Sequence, residues 1–129
     1  MSVTTAEVAE IIRGVSTRVI DPGFRRLSPD QIHEKAPGDL VTDLDRQAEG
    51  ELSRLLTSAG GGIVVGEESV HDDASVLQEL PTAELAWVID PIDGTKNYVN
   101  GSTHHAVMVA EVQHGVTTCL LYTSPSPRD

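Results

Sequence analysis

Aromatic residues make up only 3% of the 129-residue chain: one Phe, one Trp and two Tyr. Any core must therefore be built from Val, Leu, Ile and Ala. Cysteine is scarcer still. Cys119 stands alone, which excludes an intrachain disulfide and a cysteine-built zinc site. Basic side chains are also few, with nine Lys and Arg against twenty Asp and Glu and a formal net charge of -11. That balance argues against nucleic-acid binding through a basic face and against docking on anionic lipid. No apolar run approaches the roughly 20 residues of a membrane span. The opening Met1-Ser2-Val3-Thr4-Thr5-Ala6-Glu7 has no basic stretch followed by an apolar one, so no secretory leader is expected. What remains, 39% apolar and 22% charged, suits one folded globular domain at most. A phosphate-bearing ligand would need something to reverse the local sign, and a metal ion is the usual agent.

The spacing of Val8, Ile11, Ile12, Val15 and Val19 predicts an amphipathic helix, capped by Thr4 or Thr5 and ended by Asp21-Pro22-Gly23. A second helix is predicted over about 44–58, with Ala48, Leu52, Leu55 and Leu56 on one face. Its entry, Thr42-Asp43-Leu44-Asp45, is close to a capping box. Ala36-Pro37-Gly38 reads as a turn and Asp39-Leu40-Val41 as a short extended piece. Ile63-Val64-Val65 is a short strand running into Gly66-Glu67-Glu68-Ser69, and residues 70–81 read as weakly helical. The continuous run Leu85-Ala86-Trp87-Val88-Ile89 predicts a central strand covered on both faces. A further strand is predicted over 106–112, a turn at Gln113-His114-Gly115, and the start of a return strand at Val116. Alternating strands and helices imply a layered α and β domain.

Residues 119–129, Cys-Leu-Leu-Tyr-Thr-Ser-Pro-Ser-Pro-Arg-Asp, resemble the reading-frame translation of a transposon-type sequencing adapter. On that resemblance the native sequence is expected to stop near Thr118, with 119–129 a non-native tail of which Ser124 to Asp129 make few contacts. Cys119 would then carry no biological information.

The chemistry concentrates at four acidic positions where strands or turns end: Asp45, Glu67, Asp90 and Asp93. A carboxylate directly after the most apolar strand is costly unless a cation pairs with it. Pro91 fixes the backbone after Asp90, and Asp93 can return to the same side of the turn. Gly94 permits close backbone approach to a ligand, and a helix starting at Gly94 or Thr95 would turn free amides toward an anion. Carboxylates for a hard cation beside amides for phosphate describe a Mg²⁺-phosphate site. Singly, each residue has a blander reading: Asp43, Asp45 and Thr95 as helix caps, Glu67 and Glu68 as a solvated loop. The five histidines show no ligand spacing. His104 and His105 would point to opposite faces of a strand.

In combination and order, Asp39-Leu40-Val41-Thr42-x-x-Asp45, Gly66-Glu67-Glu68-Ser69 and Trp87-Val88-Ile89-Asp90-Pro91-Ile92-Asp93-Gly94-Thr95-Lys96-Asn97-Tyr98 resemble the inositol monophosphatase family. The resemblance covers about residues 5–118, roughly the first half of a member. It implies an α+β fold, a layered α/β sandwich of the inositol monophosphatase and fructose-1,6-bisphosphatase type, here cut to its first half. It also implies a cytoplasmic, Mg²⁺-dependent phosphatase acting on a small phosphorylated metabolite, homodimeric at full length. The implied metal ligands are Glu67, Asp90, the Ile92 carbonyl and Asp93, with Asp90 bridging two ions. Asp45 and Thr95 would orient and deprotonate the attacking water, and the Gly94 and Thr95 amides would hold phosphate. Glu68 and Asp43 receive no such role, and Lys35 falls one residue short of a family lysine. Lys96 with Asn97-Tyr98 leaves histidinol-phosphate or nucleotide 3′-phosphatase activity as alternatives. An inactive fragment is the alternative of another class, because the pattern needs a further metal-binding Asp from the second half.

Overall fold

The computed structural model describes residues 3–124. Helix α1 (Thr5–Val15) starts at the cap expected of Thr4. The Thr4 hydroxyl accepts from the Glu7 amide at 3.1 Å, and the Glu7 carboxylate accepts from the Thr4 amide at 3.0 Å. Its buried stripe is Val8, Ile12 and Val15. The chain then widens into a π-helical turn, Ser16–Ile20, before the single turn α2 (Asp21–Gly23). Pro22 explains the widening, since its ring would crowd the carbonyl four residues back and it has no N–H to donate.

A hairpin follows, β1 (Ile32–Ala36) with β2 (Asp39–Thr42), turning through Pro37 and Gly38, the latter at φ +78°. Strand β1 was not expected. Its side chains are mostly polar, and it carries no period that betrays a strand. Helix α3 (Asp43–Gly60) is two residues longer at its C-terminal end than predicted and buries Asp45, Ala48, Glu49, Leu52 and Leu56.

The main sheet has the order β3-β4-β5-β6, with β3 (Ile63–Gly66) parallel to β4 (Ala86–Asp93). Strands β5 (Ala106–Gln113) and β6 (Val116–Thr123) continue it antiparallel. Between β3 and β4 lie α4 (Glu67–Asp72) and a 3₁₀ stretch over Ala74–Glu79. Between β4 and β5 lies α5 (Thr95–Val99). Helices α1 and α3 cover one sheet face, where Val8, Ile12, Leu52 and Leu56 pack with Trp87, Ile89, Val107 and Val109. Among the described residues no helix is long and apolar enough to cross a membrane.

The expectation that β4 is covered on both faces holds only at its start. Strand β4 is central in order, and Ala86 with its partner Val112 is buried on the second face, but from Val88 onward that face opens. Val88, Met108, Ala110 and Leu120 line a groove of about 240 Å³ there, and Asp90 and Asp93 stand at the same groove. Leu120 and Tyr122 are more than half exposed, as is Val116.

Strand β6 does not stop at Thr118. Cys119 to Thr123 pair with Glu111 to Val107, and Leu121 packs against the core. Few contacts are expected only from Ser124 onward, and the pairing of 119–123 suits their Leu and Tyr residues whatever their origin. The same expectation for 125–129 lies outside the described residues.

Candidate functional site

The hairpin turn between Gly38 and α3 brings Thr42 and Asp45 together. Asp45 Oδ2 accepts from the Thr42 amide at 2.8 Å and from its hydroxyl at 2.6 Å. These bonds form the expected capping box, but they do more than cap. They leave Asp45 Oδ1 aimed across at α5, where the Thr95 hydroxyl lies 2.9 Å away. That hydroxyl is also 3.0 Å from the Ile92 carbonyl, so its one proton serves either acceptor. Asp45 is buried, and burial raises its pKa although the Thr42 and Thr95 bonds pull it down; the charge of Glu67 adds to the rise.

Strand β4 supplies the next pair. In a regular strand Asp90 and Asp93, three apart, would face opposite ways. The pairing shifts between them: Asp90 opposes Met108 and Asp93 opposes Ala106, so one extra residue is inserted on β4. The bulge restores both carboxylates to one side, and Pro91 within it has no ladder proton to lose. Gly94 follows at φ +86°, and a Cβ there would come within 2.8 Å of the His104 carbonyl. Only glycine fits both demands. Asn97 then donates to that same carbonyl at 2.9 Å, tying α5 to the approach to β5.

Glu67 and Glu68 open α4 at the end of β3 rather than lying in a solvated loop. Lys35 from β1 reaches them with a buried ammonium, 3.0 Å from Glu67 and 3.5 Å from Glu68. Burial lowers the Lys35 pKa, but Glu67 and Glu68 outweigh it and the net shift is upward. For Glu67, burial works upward, but contact with Asp90 and Lys35 holds the carboxyl below its ordinary value. Glu68 is pushed up to about 7, by burial first and then by Asp45 and Glu67, against the pull of Lys35. Asp90 is pushed up to about 8, by burial first and then by Glu67, Asp93 and Asp45. Among the described residues Asp90 Oδ1 and both Glu68 oxygens are buried and make no hydrogen bond, the Lys35 ammonium at 3.5 Å from Glu68 Oε1 giving charge without one.

Glu67, Asp90, Asp93, Asp45 and Thr95 thus gather at the ends of β3 and β4 and the starts of α3, α4 and α5. Among the described residues, no three His, Cys, Asp or Glu side chains already converge as a cage for an ion. Lys35 accounts for part of this by drawing the Glu67 carboxylate to itself. The buried negative charge left over, and the partnerless oxygen on Asp90, nevertheless fit a hard divalent cation.

A family model for the inositol monophosphatase family matches residues 2–120. The chain belongs to the inositol monophosphatase family. Two curated relatives illustrate the range of names within it. A fructose-1,6-bisphosphatase/inositol-1-monophosphatase of Aquifex aeolicus is 33% identical over 108 residues, which is 83% of this chain and 38% of that protein. The Nus factor SuhB of Pseudomonas aeruginosa is 37% identical over 88 residues, 67% of this chain and 31% of that one. Among solved structures, the Thermotoga maritima IMPase superposes with a TM-score of 0.70 at 23% identity, covering 88% of this chain and 41% of that one. A staphylococcal inositol monophosphatase-1 also gives 0.70, at 18% identity over 95% and 45%. These superpositions establish the family's layered mixed α/β fold. The chain spans about a third of the length of the curated relatives it matches.

Three residues that line or hold this site were missed or given no role in sequence. Lys35 sits on an unpredicted polar strand. Glu68 was given no role, yet it is buried. Glu49 was passed over, although an acidic residue four places after Asp45, on the face that carries Ala48 and Leu52, is itself a signal. The histidines behave as packing or surface residues. His105 is buried edge-on to Tyr98 at 4.9 Å, and burial lowers its pKa, while His104 is exposed.

Proposed function

We propose that the chain is the N-terminal part of a Mg²⁺-dependent phosphatase that hydrolyses phosphate monoesters of the inositol-phosphate type. The observation that carries this reading is Asp90: a half-buried carboxylate whose Oδ1 is buried without a hydrogen-bond partner among the described residues, set by a bulge beside Asp93 and next to Glu67. Glu67, Asp90 and the Ile92 carbonyl would hold a first ion, and Asp90 with Asp93 a second. When bound, Mg²⁺ supplies charge neutralisation at the phosphate and acidifies a water.

The chain's own residues do the rest. The Thr95 hydroxyl donates to Asp45 Oδ1, which leaves its lone pairs free to accept from an attacking water. Asp45 is the terminal base of that relay. Thr42 holds one of its oxygens, and burial makes it a stronger base than an exposed aspartate. The Gly94 and Thr95 amides, at the start of α5, face the phosphate. Lys35 keeps Glu67 ionised and in place until a stronger cation competes for it.

A longer protein carrying this segment is expected to be a homodimer in the cytoplasm. The isolated 129-residue chain is expected to be inactive, because the second ion keeps only Asp90 and Asp93. The relative named Nus factor SuhB supports a second reading, a partner-binding role. The net charge of -11 argues against this segment meeting nucleic acid directly. Residues 119–129 are proposed to be non-native, which sequencing reads across codon 118 would test. The function is tested by phosphate release from inositol 1-phosphate, histidinol phosphate and a nucleoside 3′-phosphate, using the longer protein with Mg²⁺ and with excess chelator. Release in chelator, or release from none of the three with Mg²⁺, would refute it.

A further inference from the structure

Glu49 is buried on α3, one helical turn beyond Asp45. Its carboxylate grips the backbone of another element. Oε1 accepts from the Glu68 amide at 2.8 Å and Oε2 from the Ser69 amide at 2.9 Å. Hydrogen bonds to an ionised acceptor are about twice as strong as neutral ones, and two from one carboxylate fix orientation as well as distance. Gly66 makes room for the grip. A Cβ at that position would lie 2.5 and 2.7 Å from the two Glu49 oxygens. The same turn is closed from its other side by Ser69, whose hydroxyl accepts from the Gly66 amide and donates to the Gly66 carbonyl, both at 3.1 Å. Helix α3 thus carries two carboxylates one turn apart with different tasks. Asp45 reaches Thr95, and Glu49 fixes the turn that presents Glu67 and Glu68.

We infer that Glu49 is a positioning residue: it binds no ion, but its clamp on the Glu68 and Ser69 amides, admitted by the bare Cα of Gly66, sets Glu67 at the distance from Asp90 that a divalent cation requires. This rests on the reading of Glu67 and Asp90 as ligands. Outer partners that orient metal ligands typically cost 10- to 100-fold in metal affinity when lost. Glu49→Gln should lose about 10-fold on that scale. Its amide group would turn an N–H against one of the two backbone N–H groups.

The test uses the ¹⁵N-labelled 129-residue chain, with amide exchange followed residue by residue and Mn²⁺ affinity measured by calorimetry. In the unaltered chain the Glu68 and Ser69 amides, which no helical carbonyl can serve, should be protected. Glu49→Gln should expose at least one of them and weaken Mn²⁺ while amides of β4 and β5 stay protected. Gly66→Ala should do the same, and the double variant should be little worse than either. Glu51→Gln, on the same helix but paired with Arg18, should change neither readout. Fast exchange at Glu68 and Ser69 in the unaltered chain would overturn the clamp without any variant. So would unchanged Mn²⁺ affinity in Glu49→Gln when Asp90→Asn has lost it. If Asp90→Asn binds Mn²⁺ like the unaltered chain, or the unaltered chain binds none, the ligand reading itself fails and this inference falls with it.

Discussion

Asp45 and Asp90 are two carboxylates of one acidic cluster with opposite surroundings. Asp45 takes bonds from the Thr42 amide, the Thr42 hydroxyl and the Thr95 hydroxyl. Asp90 meets Glu67, and its buried Oδ1 has no hydrogen-bond partner among the described residues. Burial raises the pKa of both, but only Asp90 rises to about 8. On the reading proposed above, the difference separates two jobs. A fully bonded carboxylate is held in one orientation, which suits a base. A carboxylate with a free buried oxygen among other negative charges suits a cation, which would satisfy that oxygen.

The sharpest way to break this comparison is to neutralise each member. In the longer protein Asp90→Asn should reduce Mg²⁺-dependent phosphate release by several orders of magnitude, the scale of losing a catalytic metal. The same change in the metal-free 129-residue chain should raise the melting temperature at pH 8, because it removes an uncompensated charge. Asp45→Asn should cost about 10²- to 10⁴-fold in rate, the range for general acid–base groups, while leaving metal affinity near normal. Equal losses of metal affinity at both positions would erase the distinction.

A pH titration sharpens it further. Asp90 and Glu68 sit above their ordinary values in the folded chain, at about 8 and about 7. The folded state therefore holds protons that the unfolded state releases near pH 4. Their contribution to stability is fully present below that value and is lost as pH rises through 7 and 8. The metal-free chain should melt progressively lower between pH 5 and pH 8, and saturating Mg²⁺ should flatten that slope. A melting temperature that rises over this range without metal would contradict the charge assignment. The smallest effect is expected at Glu68. Glu68→Gln should cost far less activity in the longer protein than Glu67→Gln, since Glu68 faces Lys35 at 3.5 Å and is assigned no ion.

A similar contrast runs through what could be read in sequence. Local signals were legible. The Thr4 and Thr42 caps, the Gly94 hinge at the start of α5 and the His114-Gly115 turn all follow from residue types that few other conformations suit. The ordered motifs picked out Asp45, Glu67, Asp90, Asp93 and Thr95, which the fold brings near one another. Long-range facts were not legible. Nothing in Ile32-His33-Glu34-Lys35-Ala36 announces a strand, so the ammonium that holds Glu67 was passed over. The continuous apolar run at the start of β4 implied cover on both faces, whereas on the second face the described residues bury Ala86 and Val112 but leave Val88, Ala110 and Met108 along a groove. Burial by a partner element and burial by nothing leave the same mark on a sequence.

The central claim is that Asp90 is a cation ligand and Asp45 is not. Calorimetric titration of Mg²⁺ into the 129-residue chain, beside its Asp90→Asn and Asp45→Asn variants, tests it most directly. Binding is expected in the unaltered chain, near-normal binding in Asp45→Asn and none in Asp90→Asn. Undiminished binding in Asp90→Asn would contradict it.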